Sequence, residues 1–331
     1  MDVNRDFEPF RRELIAYSYR MLGSAFEAED AVQETFFRAW KAHEDFRGDA
    51  KVRSWLYRIA TNVCLDMLRH AQRRALPTDL GPASSARELP DAPLPEQTWL
   101  TPIPDSMIRD SNPVEWATMR ESVQLAFVAA LHHLPPSQRA VLILREVLQW
   151  PASDVGHLLD ITPAAVNSVL QRARATIAKI NPQPSDAYQP MDKQQKEFLD
   201  KYLDAFQRYD LDSLTSLMHD DVVLSMPPLS MWITGFADVR EWFAGHGKGC
   251  EGSRLILVDS ANGMPAIAQY RRAETAQEMS FARRYTVPDD AGWLPWALQV
   301  LELRDHMLSG VTFFLDTPAL FEKYGLPKYL D

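Results

Sequence analysis

The sequence predicts a multidomain protein in which two all-α domains are followed by an α+β domain. Three observations lead to this: helical hydrophobic periodicity in residues 7–74 and 113–180, a proline-rich acidic segment between them, and short strand-like runs after residue 193. At 331 residues the chain exceeds one typical domain, and its 46% hydrophobic content can bury real cores. We expect domains at residues 1–75, 113–180 and 193–331, joined by linkers at 76–112 and 181–192.

Composition excludes several classes of protein. No segment approaches the roughly 20 uninterrupted apolar residues that a membrane helix needs, and the charged N-terminus lacks the apolar core of a signal peptide. The two cysteines, Cys64 and Cys250, form neither a CxxC motif nor a Cys/His metal cluster. We therefore expect a cytoplasmic protein with no membrane association, metal or cofactor.

The net charge of −10 conceals local basic patches. Residues 38–74 contain nine Lys or Arg residues against four Asp or Glu residues, and residues 162–179 contain three bases and no acid. Most of the negative excess lies after Asn181. Solvated helix faces would explain any single cluster, but basic patches in an acidic chain also suit a selective nucleic-acid binder.

Residues 7–74 read as three helices. The first ends at Gly23, the second covers residues 26–41, and the third begins near residue 52. In the second helix, Phe36, Phe37 and Trp40 are expected to face inward. Cys64 lies beside the apolar stripe of the third helix and is expected to be a small core residue. Seven prolines in residues 76–112 then predict an extended linker.

The segments ASDVGHLLD and ITPAAVNSVLQRARATIAK predict a helix-turn-helix. Thr162 suits the N-cap of the second helix, and Pro163 suits its first turn. Val166, Leu170, Ala173 and Ile177 are expected to form the packing stripe of that helix. A helix of this kind enters the DNA major groove and presents the side chains of its first turns to base edges. The candidate contacts are Asn167, Ser168 and Gln171 to bases or phosphates and Arg172 and Arg174 to phosphates.

The segment FRGDAKVRSWLYRIATNVCLDMLR is a glycine-containing polar loop followed by a helix that interleaves aromatic and basic residues. Single-stranded DNA is bound in this way, because bases stack on aromatic rings while cations follow the backbone. The alternative is that Trp55 and Tyr57 are ordinary core residues. We favour the core interpretation for Trp55 and leave both interpretations open for Tyr57.

Here the sequence resembles a known family. EAEDAVQETFFRAW with the segment above resembles the second conserved region of extracytoplasmic-function (ECF) sigma factors, and LPPSQRAVLILREVLQW with the helix-turn-helix resembles their fourth. The order and spacing match over residues 7–180. The resemblance implies a factor that binds core RNA polymerase and promoter DNA, through the clamp helices of the largest subunit and the flap of the second-largest.

The resemblance also implies roles for particular residues, carried over by position. Polymerase contacts would come from Asp30, Gln33 and Glu34. Contacts to the −10 element would come from Phe46, Arg47, Lys51, Arg53, Arg58, Asn62 and Asp66, and contacts to the −35 element from the five residues named above. The proline-rich linker would thread toward the active-site cleft. Family members often carry a base at the positions of Asn167 and Val169, so this chain should make fewer phosphate contacts.

From about residue 193, two helix-like segments, at residues 193–209 and 211–219, precede strand-like runs at residues 222–226, 254–258, 266–270, 281–287, 297–303 and 307–315. This order resembles the SnoaL-like cone of ketosteroid isomerases and polyketide cyclases. Such cones have an apolar mouth that could hold a small apolar ligand. The candidate lining residues are Tyr202, Phe206, Met226, Trp232 and Phe313, although most large apolar residues in a small domain are simply core. His219, Asp220, Asp221 and His246 are possible bases, but the sequence places no acid–base pair together, and catalysis is not expected.

Three hypotheses follow. The first is a sigma factor whose cone regulates it, active in the cytoplasm and nucleoid-associated when bound to polymerase. The second is an isomerase or cyclase fused to a DNA-binding module, which requires a carboxylate pocket. The third is a helix-turn-helix repressor, which would dimerise on inverted repeats and leaves the FRGDA–SWLYRIATN segment unexplained. We favour the first, since the two sigma-like motifs occur in the family's order.

Overall fold

The computed structural model describes residues 6–43, 52–69, 71–88, 92–109, 116–117, 119–183, 185–190, 192–276, 292–315 and 317–331. The chain forms two compact units. A helical unit contains residues 1–75 and 97–184, and a C-terminal unit contains residues 76–96 and 185–331. The boundary thus falls inside the proline-rich segment, and each half of that segment packs with a different unit.

The helical unit is built from helices that we number α1 to α8. They are α1 (Arg11–Leu22), α2 (Ala25–Lys41), α3 (Val52–Leu68), α4 (Asp105–Ile108), α5 (Leu125–His132), α6 (Pro136–Leu142), α7 (Ala152–Leu159) and α8 (Pro163–Ile180). We call residues 6–75 the N-terminal module and residues 120–180 the helix-turn-helix module. A π-helical turn, Ile143–Val147, continues α6.

The turn between α1 and α2 anchors the second half of the proline-rich segment. Gly23 ends α1 with φ at 70°, as predicted, and an added Cβ there would lie 2.4 Å from the Leu100 side chain. Thr101 donates its N–H to the Gly23 carbonyl at 3.0 Å, and its hydroxyl accepts from Ala25 N–H at 2.9 Å. The Tyr19 hydroxyl donates to the Thr101 carbonyl at 2.9 Å. Thr101 is therefore held by three hydrogen bonds to the N-terminal module.

The predicted helix-turn-helix is confirmed in α7 and α8. The Thr162 hydroxyl accepts from Ala165 N–H at 3.2 Å, and Pro163 is the first residue of α8. Asp160 ends α7 in the left-handed region, with φ at 58°. A Cβ on Gly156 would lie only 2.7 Å from the Ile161 carbonyl oxygen, so the turn requires glycine in α7.

The C-terminal unit is an α+β domain, as predicted. Its elements are α9 (Lys193–Arg208), α10 (Leu211–Thr215), β1 (Met218–Ser225), β2 (Trp232–Thr234), α11 (Phe236–Ala244), β3 (Arg254–Ala261), β4 (Met264–Arg272), α12 (Ala273–Ala276), β5 (Trp293–Arg304), β6 (Met307–Phe314) and α13 (Thr317–Lys323). The strands form one sheet in the order β2-β1-β6-β5-β4-β3, in which only the β1–β6 pair is parallel.

Two predicted elements of this domain, one helix and one strand, have no full counterpart in the described residues. The second helix of this domain ends at Thr215, four residues before the predicted end, because β1 already begins at Met218. The strand predicted at residues 281–287 lies outside the described residues. The predicted strands at residues 222–226, 254–258, 266–270, 297–303 and 307–315 correspond to β1, β3, β4, β5 and β6.

The first half of the proline-rich segment packs on the edge strand β2 and on α11. We call the described residues 81–88 and 92–94 the strap. Ser84 N–H donates to the Trp232 carbonyl at 2.7 Å, and the Trp232 indole N–H donates to the Gly81 carbonyl at 3.0 Å. Leu94 N–H donates to the Pro228 carbonyl at 2.9 Å. The strap therefore supplies hydrogen-bond partners to an otherwise open sheet edge.

One strap side chain enters the core of the C-terminal unit. Ala86 is 4% exposed and belongs to the hydrophobic cluster formed by the sheet, α9 and α11. The adjacent Arg87 pairs with Glu241 of α11 at 2.6 Å, and its carbonyl lies 3.0 Å from His246 Nε2. Because the Arg87 side chain is 81% exposed, this ion pair adds little. Burial of Ala86 and the backbone hydrogen bonds fix the strap.

The substitution Gly156→Ala should lower the free energy of unfolding by about 1–3 kcal/mol, because the new methyl group overlaps the Ile161 carbonyl. Urea unfolding followed by far-UV circular dichroism measures it. Gly81→Ala is the control, since nothing lies within 4 Å of its added Cβ, and it should change stability by less than about 0.5 kcal/mol. Equal effects at both positions would contradict the close approach in the turn.

Candidate nucleic-acid interface

The outward face of α8 carries the exposed side chains predicted to contact the −35 element, which are Asn167, Ser168, Gln171, Arg172 and Arg174. Val166, Leu170 and Ala173 are buried, so the packing stripe of the helix is confirmed at these three positions. Ile177, expected in the same stripe, is half-buried. The helix therefore separates a packed side from a polar and basic side.

The two arginines of this face differ in their contacts. Arg172 donates to the Ser168 hydroxyl at 3.0 Å, one turn earlier on the same face. Arg174 forms an ion pair with Glu146 at 2.5 Å. Its side chain is 58% exposed, so a phosphate could compete with Glu146 for the guanidinium. Arg172 is the cation more readily available to DNA.

An exposed polar stripe runs along α3. Arg58, Asn62 and Asp66 follow one another at intervals of four residues, which places them on one face, and all three are exposed. Asp66 pairs with Arg38 at 3.2 Å and with Arg69 at 3.1 Å. Three predicted −10 contacts, Phe46, Arg47 and Lys51, lie outside the described residues.

The first turns of α3 pack against α1. Arg53 forms an ion pair with Glu13 at 2.7 Å, and the Tyr57 hydroxyl donates to the same carboxylate at 3.3 Å. Tyr57 is fully buried, and this burial raises the pKa of its hydroxyl. Trp55 is only half-buried, with its ring centroid 6.2 Å from that of Phe7. Of the two aromatic residues, Trp55 is the one that reaches the surface.

A second exposed surface lies on α2. Asp30 and Gln33 are exposed and Glu34 is half-buried, bound to Arg38 at 2.7 Å. The prediction that Phe37 and Trp40 face inward is wrong, because each is 49% exposed.

The buried stripe of α2 instead consists of smaller residues with Phe36. Phe37 lies four residues after Gln33 and is therefore on the face predicted to bind polymerase, which the sequence interpretation missed. The helical spacing from Asp30 through Gln33 to Phe37 was the available signal. The Lys41 ammonium lies 4.2 Å from the Phe37 ring centroid and shields it in part.

In the C-terminal unit, the predicted pocket residues divide into two groups. Tyr202, Phe206 and Phe313 are at most 3% exposed and belong to the hydrophobic core. The Phe206 ring lies 5.8 Å from Phe243 and 6.4 Å from Phe313 between centroids. Aromatic rings at these distances pack on one another.

The other two predicted pocket residues, Met226 and Trp232, are half-buried, and the Trp232 indole is engaged by the strap. A buried polar chain runs behind the aromatic cluster. The Tyr202 hydroxyl donates to Gln299 at 2.8 Å, and the Gln299 amide donates to Gln269 at 2.9 Å. This network gives these three buried side chains polar partners.

The possible catalytic bases are not gathered into a pocket. Asp220 and His246 are exposed, and the His219 ring lies 2.6 Å from the Arg304 carbonyl. Arg304 also binds Asp221 at 2.5 Å and lowers the pKa of that exposed carboxyl group. A general base needs a raised pKa and a substrate-facing position, and Asp221 has neither.

Comparisons with known protein families match three regions of this chain. Residues 7–74 match the family Sigma-70 region 2, residues 124–177 match Sigma-70 region 4, and residues 199–308 match the SnoaL-like domain. The ECF RNA polymerase sigma factor SigG of Mycobacterium tuberculosis is 40% identical over 331 residues, which cover 99% of this chain and 85% of SigG. The chain belongs to the ECF RNA polymerase sigma factors.

A second relative supports the arrangement of domains. The sigma factor SigJ of M. tuberculosis is 26% identical over 287 residues, covering 82% of this chain and 84% of SigJ. The crystal structure of SigJ matches 97% of this chain and 99% of that chain with a TM-score of 0.59 at 20% identity, which shows a shared fold. This ECF sigma factor is thus a transcription initiation factor, not an enzyme, that combines helical sigma domains with a SnoaL-like domain. Among the described residues, no helix has the length and apolar character needed to span a membrane.

Cys64 is completely buried, which confirms its expected place in the core, and burial raises the pKa of its thiol to about 12. At about pH 8 the folded chain should therefore resist alkylation by iodoacetamide at Cys64, because the thiolate is the reactive form. Mass spectrometry of the Cys64 peptide measures the reaction. In concentrated guanidinium chloride the same cysteine should react rapidly. Equal rates in the folded and unfolded chain would contradict this burial.

Proposed function

We propose that this sigma factor uses three exposed helix faces in initiation: α2 for core polymerase, α3 for the −10 element and α8 for the −35 element. This proposal is supported by one observation: these polar faces are exposed, although the opposite sides of the same helices are packed. Polymerase binding would place the protein in the cytoplasm, associated with the nucleoid.

The α2 face suits a protein partner. Asp30, Gln33 and Glu34 would contact the clamp helices of the largest polymerase subunit, and Phe37 and Trp40 add apolar area next to them. Large aromatic residues surrounded by polar ones are typical of the residues that dominate binding energy. The helix-turn-helix module would bind the flap of the second-largest subunit.

The α3 and α8 faces suit DNA in different forms. Arg58 and Asn62 would follow the melted −10 strand, together with Phe46, Arg47 and Lys51. Arg53 and Asp66 form ion pairs within the N-terminal module, and part of their role would be to position their ion-pair partners. Asn167, Ser168 and Gln171 would read base edges in the −35 major groove.

Transcription in vitro with purified core polymerase tests this proposal. The full-length chain should direct specific initiation at a cognate promoter, such as one identified upstream of its own gene. If the chain neither bound core polymerase nor directed initiation at any promoter, the proposal would fail. A dimer that binds inverted repeats in duplex DNA without polymerase would favour a repressor instead.

The double substitution Arg172→Ala with Arg174→Ala should weaken promoter binding and flatten its dependence on salt by up to about 0.9 in log–log slope per lost phosphate contact. The single substitution Arg172→Ala should account for most of the effect, because Arg174 is paired with Glu146. Fluorescence anisotropy of a holoenzyme–promoter titration at several salt concentrations measures both. Unchanged slopes would count against α8 as the recognition helix.

The C-terminal unit is proposed to modulate activity through the strap. The −10 and −35 elements are centred about 25 base pairs apart, which is about 85 Å along B-DNA. The proline-rich segment must allow the two modules to reach both elements. An extended chain spans at most about 3.6 Å per residue, so fixing Ser84 and Leu94 on the C-terminal unit withholds up to about 40 Å of that reach.

A small apolar ligand in the cone would act on the equilibrium between the strapped and released states of the proline-rich segment. The aromatic cluster of Phe206, Phe243 and Phe313 would have to rearrange to admit it. The ligand would shift activity only in proportion to its difference in affinity for the strapped and released states.

The substitution Ala86→Glu should detach the strap, because it places a carboxylate in the core of the C-terminal unit. We expect transcription in vitro to change by several-fold, in the same direction as deletion of everything after Pro190. Ala83→Glu makes the same chemical change at an exposed position of the strap and should leave transcription unchanged. Identical activity of both variants and the wild type would remove the modulating role of the strap.

A further inference from the structure

The helix α8 contains no acidic residue, yet one of its arginines is paired with a carboxylate. Arg174 donates from Nη2 to Oε1 of Glu146 at 2.5 Å, and Glu146 belongs to the π-helical turn that continues α6. Arg172, two positions before Arg174, instead donates to the neutral hydroxyl of Ser168 at 3.0 Å. Within the part of the chain that the structure describes, a carboxylate therefore neutralises Arg174 and leaves the charge of Arg172 uncompensated.

Arg174 lies on the side of α8 that carries predicted base contacts. It follows Gln171 by three residues and Asn167 by seven, a spacing that places the three side chains on one helix face. All three are exposed. A cation at this position meets a backbone phosphate when the neighbouring side chains reach base edges. The carboxylate of Glu146 thus adds a negative charge to the face that is proposed to meet the DNA.

The backbone around Glu146 has an unusual conformation. Leu148 N–H donates to the Ile143 carbonyl at 3.0 Å, which closes the π-helical turn around Glu146. The side-chain amide of Gln149 donates to the Glu146 carbonyl at 2.5 Å, and Gln149 itself has a φ of 56°. A non-glycine residue in the left-handed region costs free energy and persists where its surroundings fix it, and π-helical turns are frequent at functional sites. The backbone at Glu146 is therefore fixed by contacts other than its ion pair with Arg174.

We propose that Glu146 is an internal competitor of DNA phosphate, which withholds Arg174 from the DNA backbone and limits the affinity of α8 for DNA of any sequence. This inference rests on the proposed role of α8 in binding the −35 element. A phosphate that binds Arg174 must displace the carboxylate or lie next to it, and either event costs free energy. Phosphate contacts carry no sequence information, so the penalty applies to promoter and non-promoter DNA alike. Glu146 therefore lowers non-specific binding, nearly all of which comes from phosphate contacts.

The exposure of the pair sets the size of the effect. The side chain of Arg174 is 58% exposed and that of Glu146 is 38% exposed. Ion pairs with this exposure change an equilibrium constant by about twofold to fivefold. Loss of the carboxylate also allows Arg174 to form one additional phosphate contact, which steepens the log–log dependence of binding on salt by up to about 0.9.

The test uses holoenzyme assembled from core polymerase and the full-length chain with Glu146→Gln. Fluorescence anisotropy at several salt concentrations measures its binding to a duplex from a promoter that the chain transcribes and to a scrambled duplex. Binding of both duplexes should become about twofold to fivefold tighter, with a slope steeper by up to about 0.9. In an Arg174→Gln background the same substitution should change neither quantity, because no guanidinium remains to be released.

Asp154→Asn is the matched control. It removes one carboxylate from α7 of the same module, and the described contact of that carboxylate is with the neighbouring Ser153 hydroxyl at 3.1 Å. This control should change the affinity by less than about twofold and leave the salt slope unchanged, since screening weakens the effect of a distant charge. Equal tightening by Asp154→Asn and Glu146→Gln would assign the effect to overall charge and overturn the competition.

Glu146→Ala provides a second variant if Glu146→Gln loses its helical circular dichroism, and it should shift both quantities in the same direction. Folded Glu146 variants that bind DNA with the affinity and salt slope of the wild type, or more weakly, overturn the competition alone, provided that Arg172→Ala still weakens promoter binding. A holoenzyme that binds no promoter with the wild type or with any variant would instead overturn the proposed function.

Discussion

Two buried arginines set the energetics of the helical unit. Arg20 and Arg139 are 0% and 3% exposed, and desolvation lowers the pKa of each to about 10, so both remain charged near neutral pH. Arg139 is stabilised by backbone carbonyls, including those of Leu131 and Leu134 in its own module. Met21 adds a carbonyl at the C-terminal end of α1, where the helix dipole favours a cation. Burying charge in this way costs solvation that its hydrogen bonds offset only in part.

The sequence was sufficient to predict helices and their buried sides where hydrophobic periodicity determines the structure. The N-cap at Thr162 and the alternation of polar and apolar residues in α8 are local, so that helix and its two sides were predictable. Phe37 and Trp40 were assigned wrongly because large apolar residues were assumed to be core. Tyr57 could not be decided, since its burial depends partly on Trp150, which is 93 positions away in the sequence. The strap lacks any periodic pattern, and its contacts are hydrogen bonds, one buried alanine and one exposed ion pair, none of which a sequence pattern reveals.

The division of the proline-rich segment also has a consequence for protein engineering. The boundary between the units falls at Glu96 and Gln97, inside the short 3-10 helix Glu96–Thr98. A chimera that exchanges the entire segment between sigma factors would remove the Thr101 anchor and the Ala86 anchor at once. Recombination at the Glu96–Gln97 junction would keep each anchor with the domain that binds it. Modular design of hybrid regulators in this family should therefore treat the two halves as separate cassettes.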